Sequence, residues 1–572
     1  MNLILLSALL TVLHSFAVGK PVQVATRNNE ADTVLYESDI VLRRQKRSAM
    51  NCDCFWPKSQ DGLVKIPVNV SSDFSVTERA WIVEAMQEFN TLTCVRFVNR
   101  TTESSYIKVV PGQNCWSFFG KIGGAQTVAL MKNGCMSKGA IQHELNHALG
   151  FIHEQSRSDR DNYVRIMWEY IMAGEQENFG KVNSNNLGLP YDYFSVMHYG
   201  AYAFSNTSGK ATIIPIPDPS VPIGQRYGLS NLDVAKINKI YNCNRCSSVL
   251  PNVNGTFSSA NYPAPYPDNS NCLWLIRIPQ NKVFLQFQEF GLQSSPDCAL
   301  DYVRIYDGSN RNARVLLDKY CGVAPLPALV ASGHMMLIEF VSDMAIAGTG
   351  FTASYSHVKC GGTFTNAYGV ITSPNYPNKY PKNQDCFWIV GAPPGYQIFL
   401  KVVFFELEDI DECRYDYLVI HNGSRPTSPA VGPYCGTMKI PEFTSTENFV
   451  LVEFHSDIVW VFHGFMINYT FGYFTPGYPG VQKINGKKME QLMHGHHVPL
   501  NSGAGPLGAV LRLPARLHPA ESSLLQSQEA SRTPGKAAGT STVLVTASPT
   551  APGVTCRTPK CTWYRCSLGM WP

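Results

Sequence analysis

Two patterns of apolar and polar positions organise this chain. Across residues 246–357, and again across 360–471, apolar residues alternate with polar ones and are cut every few positions by Gly, Pro and Asn. That pattern predicts short strands and turns, so each stretch reads as an all-β sandwich of about 110 residues. At the N-terminus, residues 3–13 (LILLSALLTVL) form one apolar run, followed by small residues at Ala17 and Gly19. The run predicts a signal peptide over residues 1–19, because eleven apolar residues are too few to span a bilayer. No later segment is long enough to span one either. Residues 500–555 are rich in Ala, Ser, Pro, Gly and Thr with few aromatics, so 472–572 is read as a low-complexity, disordered tail.

The two sandwiches are copies of one unit. Cys246 to Cys272 and Cys360 to Cys386 have the same spacing of 26, and Cys298 to Cys321 (23) echoes Cys413 to Cys435 (22). Ser259-Ala260-Asn261-Tyr262-Pro263 is matched by Ser373-Pro374-Asn375-Tyr376-Pro377, and Asp301-Tyr302-Val303 by Asp416-Tyr417-Leu418.

Composition narrows the setting. A chain of 572 residues suits roughly three or four domains. Charged residues are 16% and the net charge is +4, which gives no nucleic-acid footprint. Seventeen cysteines behind a signal peptide imply disulfides; 14 fall between Cys52 and Cys435, and Cys556, Cys561 and Cys566 lie in the tail. Sequons stand at Asn69, Asn99, Asn206, Asn254, Asn422 and Asn468. Residues 20–47 are polar, lack cysteine and end in Arg44-Gln45-Lys46-Arg47, a secretory convertase site. They read as a pro-peptide, with the mature chain beginning at Ser48.

Residues 48–245 carry the chemistry. The run His143-Glu144-Leu145-Asn146-His147-Ala148-Leu149-Gly150-Phe151-Ile152-His153 has the form H-E-x-x-H-x-x-G-x-x-H. On a helix His143 and His147 lie on one face, roughly 40° apart. A continued helix would carry His153 roughly 280° away from His143. Gly150 stands where the helix must break, since Gly adopts positive φ without penalty. Three imidazoles then hold one zinc ion and leave a position open, as a catalytic site requires. Glu144 lies off the ligand face and is placed to act as general base on a water.

The extended motif, continuing Glu154-Gln155-Ser156-Arg157-Ser158-Asp159-Arg160-Asp161, closely resembles the astacin family of metzincin metalloproteases. Ser195-Val196-Met197-His198-Tyr199 is similar to that family's Met-turn. The resemblance implies an α+β catalytic domain, bridges Cys94–Cys243 and Cys115–Cys135, Met197 as a floor beneath the zinc, and Tyr199 as a switchable ligand. It implies that Glu154 meets the new N-terminus after activation. Tyr36-Glu37-Ser38-Asp39 resembles the family's F-x-G-D latency switch, with Tyr for Phe and Ser for Gly; Asp39 would occupy the open zinc position. Arg226 matches a position that in some members faces the residue after the scissile bond, which would favour acidic side chains; a structural arginine is equally compatible. Cys52 and Cys54 are closer together than the resemblance leads one to expect, and their pairing stays open. The two repeats look like CUB domains, many of which bind calcium. Glu408, Asp416 and Asp457, with Tyr380 nearby, match the calcium set in the second. The first has Asp301 and Asp343 but Gln293 in place of the glutamate, so calcium is expected only in the second.

The sequence therefore reads as a multidomain, secreted zinc endopeptidase made as a zymogen: signal peptide 1–19, pro-peptide 20–47, catalytic domain 48–245, CUB domains 246–357 and 360–471, tail 472–572. Its order is most similar to the hatching-enzyme branch, amphibian type included. That implies protein substrates in extracellular matrix or egg envelope, protein contacts through the CUB domains, and release to the extracellular space with or without storage in secretory granules. The alternatives are a protease that processes matrix precursors and a CUB-based binding protein with an inert protease domain.

Overall fold

The structure is a computed structural model that describes residues 35–41 and 54–473. The expected signal peptide, the expected cleavage site at Arg47, Ser48, Cys52 and residues 474–572 lie outside the described residues, whereas Gly472 and Tyr473, read as the start of a disordered tail, end the last strand of the second repeat.

The catalytic region is built on one seven-stranded sheet. Its strands are β1 (Leu35–Tyr36), β2 (Ile40–Val41), β3 (Val64–Val70), β4 (Val95–Asn99), β5 (Tyr106–Pro111), β6 (Trp116–Phe118) and β7 (Ala125–Leu130), in the order β1-β2-β6-β7-β5-β3-β4. Alternate residues of β3 (Val64, Ile66, Val68) and of β5 (Ile107, Val109) are buried against the helices. Helix α1 (Val76–Leu92) starts at Ser75, whose hydroxyl accepts from Glu78 N while the Glu78 carboxylate accepts from Ser75 N. Its Ile82, Ala85 and Phe89 share the core with Ile141, Leu145 and Ala148 of helix α2 (Lys138–Ala148). Below the sheet, β8 (Val164–Ile166) pairs with β9 (Ile213–Pro215), and α3 (Asn231–Ile240) closes the domain.

Residues 35–41 belong to this sheet. Ile40 and Val41 run parallel to Ser117 and Phe118 of β6, and both are buried. Ser117 N donates to Asp39 O at 2.9 Å and Phe119 N to Val41 O at 3.2 Å. Strand β2 thus covers an edge that would otherwise expose unpaired amides.

Each repeat is a five-stranded sheet packed on a four-stranded one, with the same strand order in both. The first strand pairs in parallel with the third, in the registers Cys246↔Cys272 and Cys360↔Cys386. Disulfides join those residues, and also Cys298–Cys321 and Cys413–Cys435. The expected Cys94–Cys243 and Cys115–Cys135 bridges are present. Cys54 is disulfide-bonded. Five sequon asparagines are exposed; Asn422 is half-buried, its amide donating to Thr446 Oγ1. Among the described residues no helix is long and apolar enough to cross a membrane.

The first repeat packs directly on the catalytic domain. Its Leu273, Leu275, Tyr306 and Leu337 join the core of α1 and α2. At that seam Arg277 Nη1 lies 2.8 Å from Glu88 Oε1 of α1, and Arg277 Nη2 donates to Leu229 O. The repeats also pack on each other, through a buried cluster of Phe284, Ala328, Val330, Val358, Ile389 and Leu451.

Candidate metal centre

Helix α2 presents His143 and His147 on one face and ends as the spacing predicts. Its cap is Leu149, Gly150 follows at φ 93°, Gly150 N donates to His147 O at 2.9 Å and Phe151 N to Asn146 O at 3.0 Å. This Schellman arrangement satisfies two terminal carbonyls and reverses the chain. A Cβ on Gly150 would also meet the Phe55 ring at 3.0 Å. The reversal delivers His153 to the other two imidazoles, and all three are buried.

The hydrogen bonds fix how the rings face. His143 Nδ1 donates to Val196 O at 2.8 Å, His147 Nδ1 to Phe151 O at 2.8 Å and His153 Nδ1 to Glu37 Oε2 at 2.6 Å. Each partner is an acceptor, so each Nδ1 carries a proton, and in a neutral ring that leaves each Nε2 a lone pair. Those lone pairs converge: His143 Nε2 is 3.1 Å from His147 Nε2 and 3.2 Å from His153 Nε2. Such a set repels itself unless a cation sits among it. Tetrahedral zinc–nitrogen bonds put their nitrogens about 3.3 Å apart, so the donors present fit zinc. Asp39 closes the fourth side, with Oδ2 3.2 Å from both His143 Nε2 and His153 Nε2 and Oδ1 3.5 Å from His147 Nε2.

Glu144 is buried beside this centre, and its Oε2 has no hydrogen-bond partner. Burial, and then the charge of Asp39, push its carboxyl well above the usual carboxylate range against the opposing pull of Arg226. Tyr199 stacks against His153, centroids 4.5 Å apart. Its hydroxyl donates to Glu37 O at 2.8 Å, so the phenol holds the turn that carries Glu37 and Asp39. Burial pushes its pKa well above that of a free phenol, which keeps it protonated and a donor.

The Met-turn is fixed from α3. Asp233 accepts from Ser195 Oγ at 2.6 Å and Val196 N at 2.8 Å, and also caps α3 with Ser230. Met197 is buried in the same core as Leu145 and Leu149. Val196 O in turn orients His143. Sequence reasoning assigned no role to Asp233 or Glu37; the S-x-x-D spacing of Ser230 and Asp233 before an apolar run is a capping signal that could have flagged the first. Glu154 is engaged by Arg157 at 3.0 Å, Lys236 at 2.5 Å and Asp192 N at 2.9 Å. It lines a cavity of about 380 Å³ with Phe55, Gly150 and Phe151. Arg226 donates to His198 O at 3.1 Å and Gln225 O at 2.8 Å, and no carboxylate among the described residues pairs with it.

A second cluster joins Glu408, Asp416 and Asp457 in the second repeat. Tyr380 OH donates to Asp416 Oδ2 at 2.5 Å and Asp457 N to Asp416 Oδ1 at 2.8 Å, while Glu408 Oε2 is buried without a partner. The first repeat repeats this skeleton with Tyr266, Asp301 and Asp343, but Gln293 replaces the third acid.

Comparison with known proteins agrees with this geometry. The Astacin peptidase-family model matches residues 53–242, and the CUB domain model matches 246–355 and 360–469. Embryonic protein UVS.2 of Xenopus laevis is 48% identical over 451 residues, covering 78% of this chain and 87% of that protein. The chain belongs to the astacin family. Astacin-like metalloendopeptidase of Gallus gallus is 54% identical over 334 residues, 58% of this chain and 81% of that protein. High choriolytic enzyme 1, a hatching enzyme zinc-protease from Oryzias latipes, is 54% identical over 34% of this chain and 100% of its own, with a TM-score of 0.34. This astacin is therefore a metalloendopeptidase of a zinc-dependent family, with two CUB domains after its catalytic domain.

Proposed function

We propose that this astacin is secreted as a zymogen, activated by cleavage after Arg47, and hydrolyses extracellular glycoproteins of the egg-envelope kind. The observation that carries the latency is the Asp39 carboxylate, which sits against all three histidine nitrogens where a substrate carbonyl and its attacking water would have to enter.

His143, His147 and His153 hold the metal. Zinc bound there supplies Lewis acidity and makes a nearby water acidic enough to attack near neutral pH. Glu144 takes the proton of the attacking water through its unpartnered Oε2 and passes it to the leaving amine nitrogen as the peptide bond breaks. Tyr199, once the Glu37 carbonyl leaves, is a free phenol donor beside His153, positioned for the developing oxyanion. The cavity lined by Glu154, Lys236 and Phe55 is the place for the freed N-terminal amine at Ser48. Arg226 offers an unpaired guanidinium to an acidic side chain after the scissile bond. Glu408, Asp416 and Asp457 form a hard-oxygen set suited to calcium, and with it the second CUB domain docks protein partners.

The embryonic relative and the plain astacin–CUB–CUB order favour the hatching reading. Matrix-processing relatives usually carry EGF-like modules between CUB domains, and the two CUB matches here, 246–355 and 360–469, leave no room for one between them. An inert protease domain is disfavoured because His143, Glu144, His147, His153 and Tyr199 are all present and assembled.

The test compares the uncleaved chain, blocked by Arg47→Ala, with the chain cut at that site. The cut form is expected to cleave peptides and isolated egg-envelope glycoprotein, the blocked form not, and a zinc chelator to abolish cleavage. Asp39→Ala in the blocked chain should restore cleavage by tenfold or more over the blocked chain itself. Equal activity of blocked and cut wild type would remove the zymogen reading. Cleavage of procollagen in preference to envelope protein would favour the matrix reading. Peptides with Asp after the scissile bond should be cut with higher kcat/KM than those with Lys, a preference that Arg226→Ala lowers; no change on that substitution would make Arg226 a structural residue.

A further inference from the structure

Two of the three zinc-site histidines are oriented by the catalytic domain itself. His143 donates to a carbonyl of the Met-turn and His147 to the carbonyl of Phe151. His153 differs. Its Nδ1 donates to Glu37 Oε2 at 2.6 Å, and Glu37 lies in the pro-segment, 116 positions away. No acceptor for His153 Nδ1 other than Glu37 is found among the described residues. The Glu37 carboxylate is 2% exposed, and its Oε1 has no hydrogen-bond partner. A carboxylate is not buried in this way without a compensating positive charge. Lys and Arg do not supply it, since none pairs with Glu37 among the described residues. The positive charge within reach lies on the His153 side: the ring itself when protonated, or a metal ion held on its far nitrogen.

The backbone of the turn is committed to this placement. Glu37 and Ser38 both adopt positive φ, 51° and 69°. Two consecutive non-glycine residues there cost of order 1 kcal/mol each. The strain aims the side chains of Glu37 and Asp39 at the two opposite nitrogens of one imidazole: Asp39 Oδ2 is 3.2 Å from Nε2. The Tyr199 hydroxyl pins the carbonyl between them.

We infer that Glu37 is a positioning residue that completes a carboxylate–histidine–zinc unit through His153, and that this unit exists only while the pro-segment is attached. The zymogen therefore holds its zinc in a tighter site than the active enzyme does, and activation removes two carboxylates from the metal's surroundings, one direct and one through the ring. The inference rests on the reading that residues up to Arg47 leave on activation. A carboxylate partner of this kind is worth about 10- to 100-fold in metal affinity.

The test reads zinc transfer from the full chain to a chromophoric chelator, with Arg47→Ala blocking cleavage. Glu37→Ala is made alone and on an Asp39→Ala background, so that loss of the direct contact and loss of the ring partner are counted separately. On the Asp39→Ala background, Glu37→Ala should speed zinc release about tenfold or more. Glu37→Gln, which keeps an acceptor but not the charge, should fall between. Equal release rates for Asp39→Ala with and without Glu37→Ala would overturn the inference. Folding is checked on a separate Glu37→Ala chain with an intact Arg47, which, once cut there, should match wild type in activity per bound zinc, because residue 37 is gone. Activity of the uncleaved Asp39→Ala chain reports on latency independently, so a failure of the zymogen reading is seen there and not in the zinc-release comparison.

Discussion

Glu144→Gln is expected to lower kcat for peptide cleavage by about 10²- to 10⁴-fold while leaving the zinc content at one per chain. The residue sits next to His143 on α2, off the ligand face, and the substitution is isosteric in a site that is 3% exposed. Packing and coordination are therefore preserved and only proton transfer is lost. Burial raises the Glu144 carboxyl above its ordinary range, and the neighbouring Asp39 charge adds to the shift while Asp39 is in place. The base works only when deprotonated, so activity should be present above its folded value and fall as pH drops through it. That acid limb should lie above the ordinary glutamate range and disappear from the residual activity of the variant. Steady-state kinetics with metal analysis decides this: a variant within tenfold of wild type would place the base elsewhere.

The second large effect lies away from the zinc. Arg277→Ala should destabilise the chain by about 3 kcal/mol, because it strips the cation from a glutamate that is 1% exposed. The nearest remaining cation, Lys138, is 3.7 Å from Glu88 Oε2. Glu88 Oε1 also accepts from Leu229 N at 3.2 Å, and Gln142, beside His143, accepts from the same amide at 2.9 Å. Leu229 leads into Ser230 and Asp233, which hold the Met-turn. The loss should therefore appear both in the denaturant midpoint and in a lower kcat at unchanged KM. Glu88→Gln combined with Arg277→Met removes both charges and should recover most of the stability. A single variant within about 0.5 kcal/mol of wild type would show the seam to be incidental.

Much of the catalytic centre was legible because metal coordination demands fixed spacing within a short run. His143 to His153 and the Met-turn are local signatures, and the helix break at Gly150 follows from where the third ligand must go. The repeat was legible because both copies keep the same cysteine spacing, and the paired registers Cys246↔Cys272 and Cys360↔Cys386 follow it. What escaped reading is made by long-range pairing. Glu37 reaches His153 across 116 positions, Asp233 reaches Ser195 across 38, and Arg277 reaches Glu88 across 189. A polar residue carries no local mark of a partner that distant. Glu154 shows the same limit: the motif drew attention to it and Arg157 is only three residues on, but its engagement by Lys236, 82 positions away on α3, depends on how two separate elements meet.

The grip of residues 40 and 41 on the sheet has a consequence for how the proposed latency would end. Strand β2 contributes two residues to the pairing with β6, too few to hold on their own. While the chain is continuous, that short strand faces its edge at an effective concentration in the millimolar range. Cutting after Arg47 would break no contact in the hairpin. It would change the volume that the segment explores, from the neighbourhood of one molecule to the whole of the surrounding fluid. Release would then be a matter of dilution, fast in open fluid and slow in a crowded secretory granule.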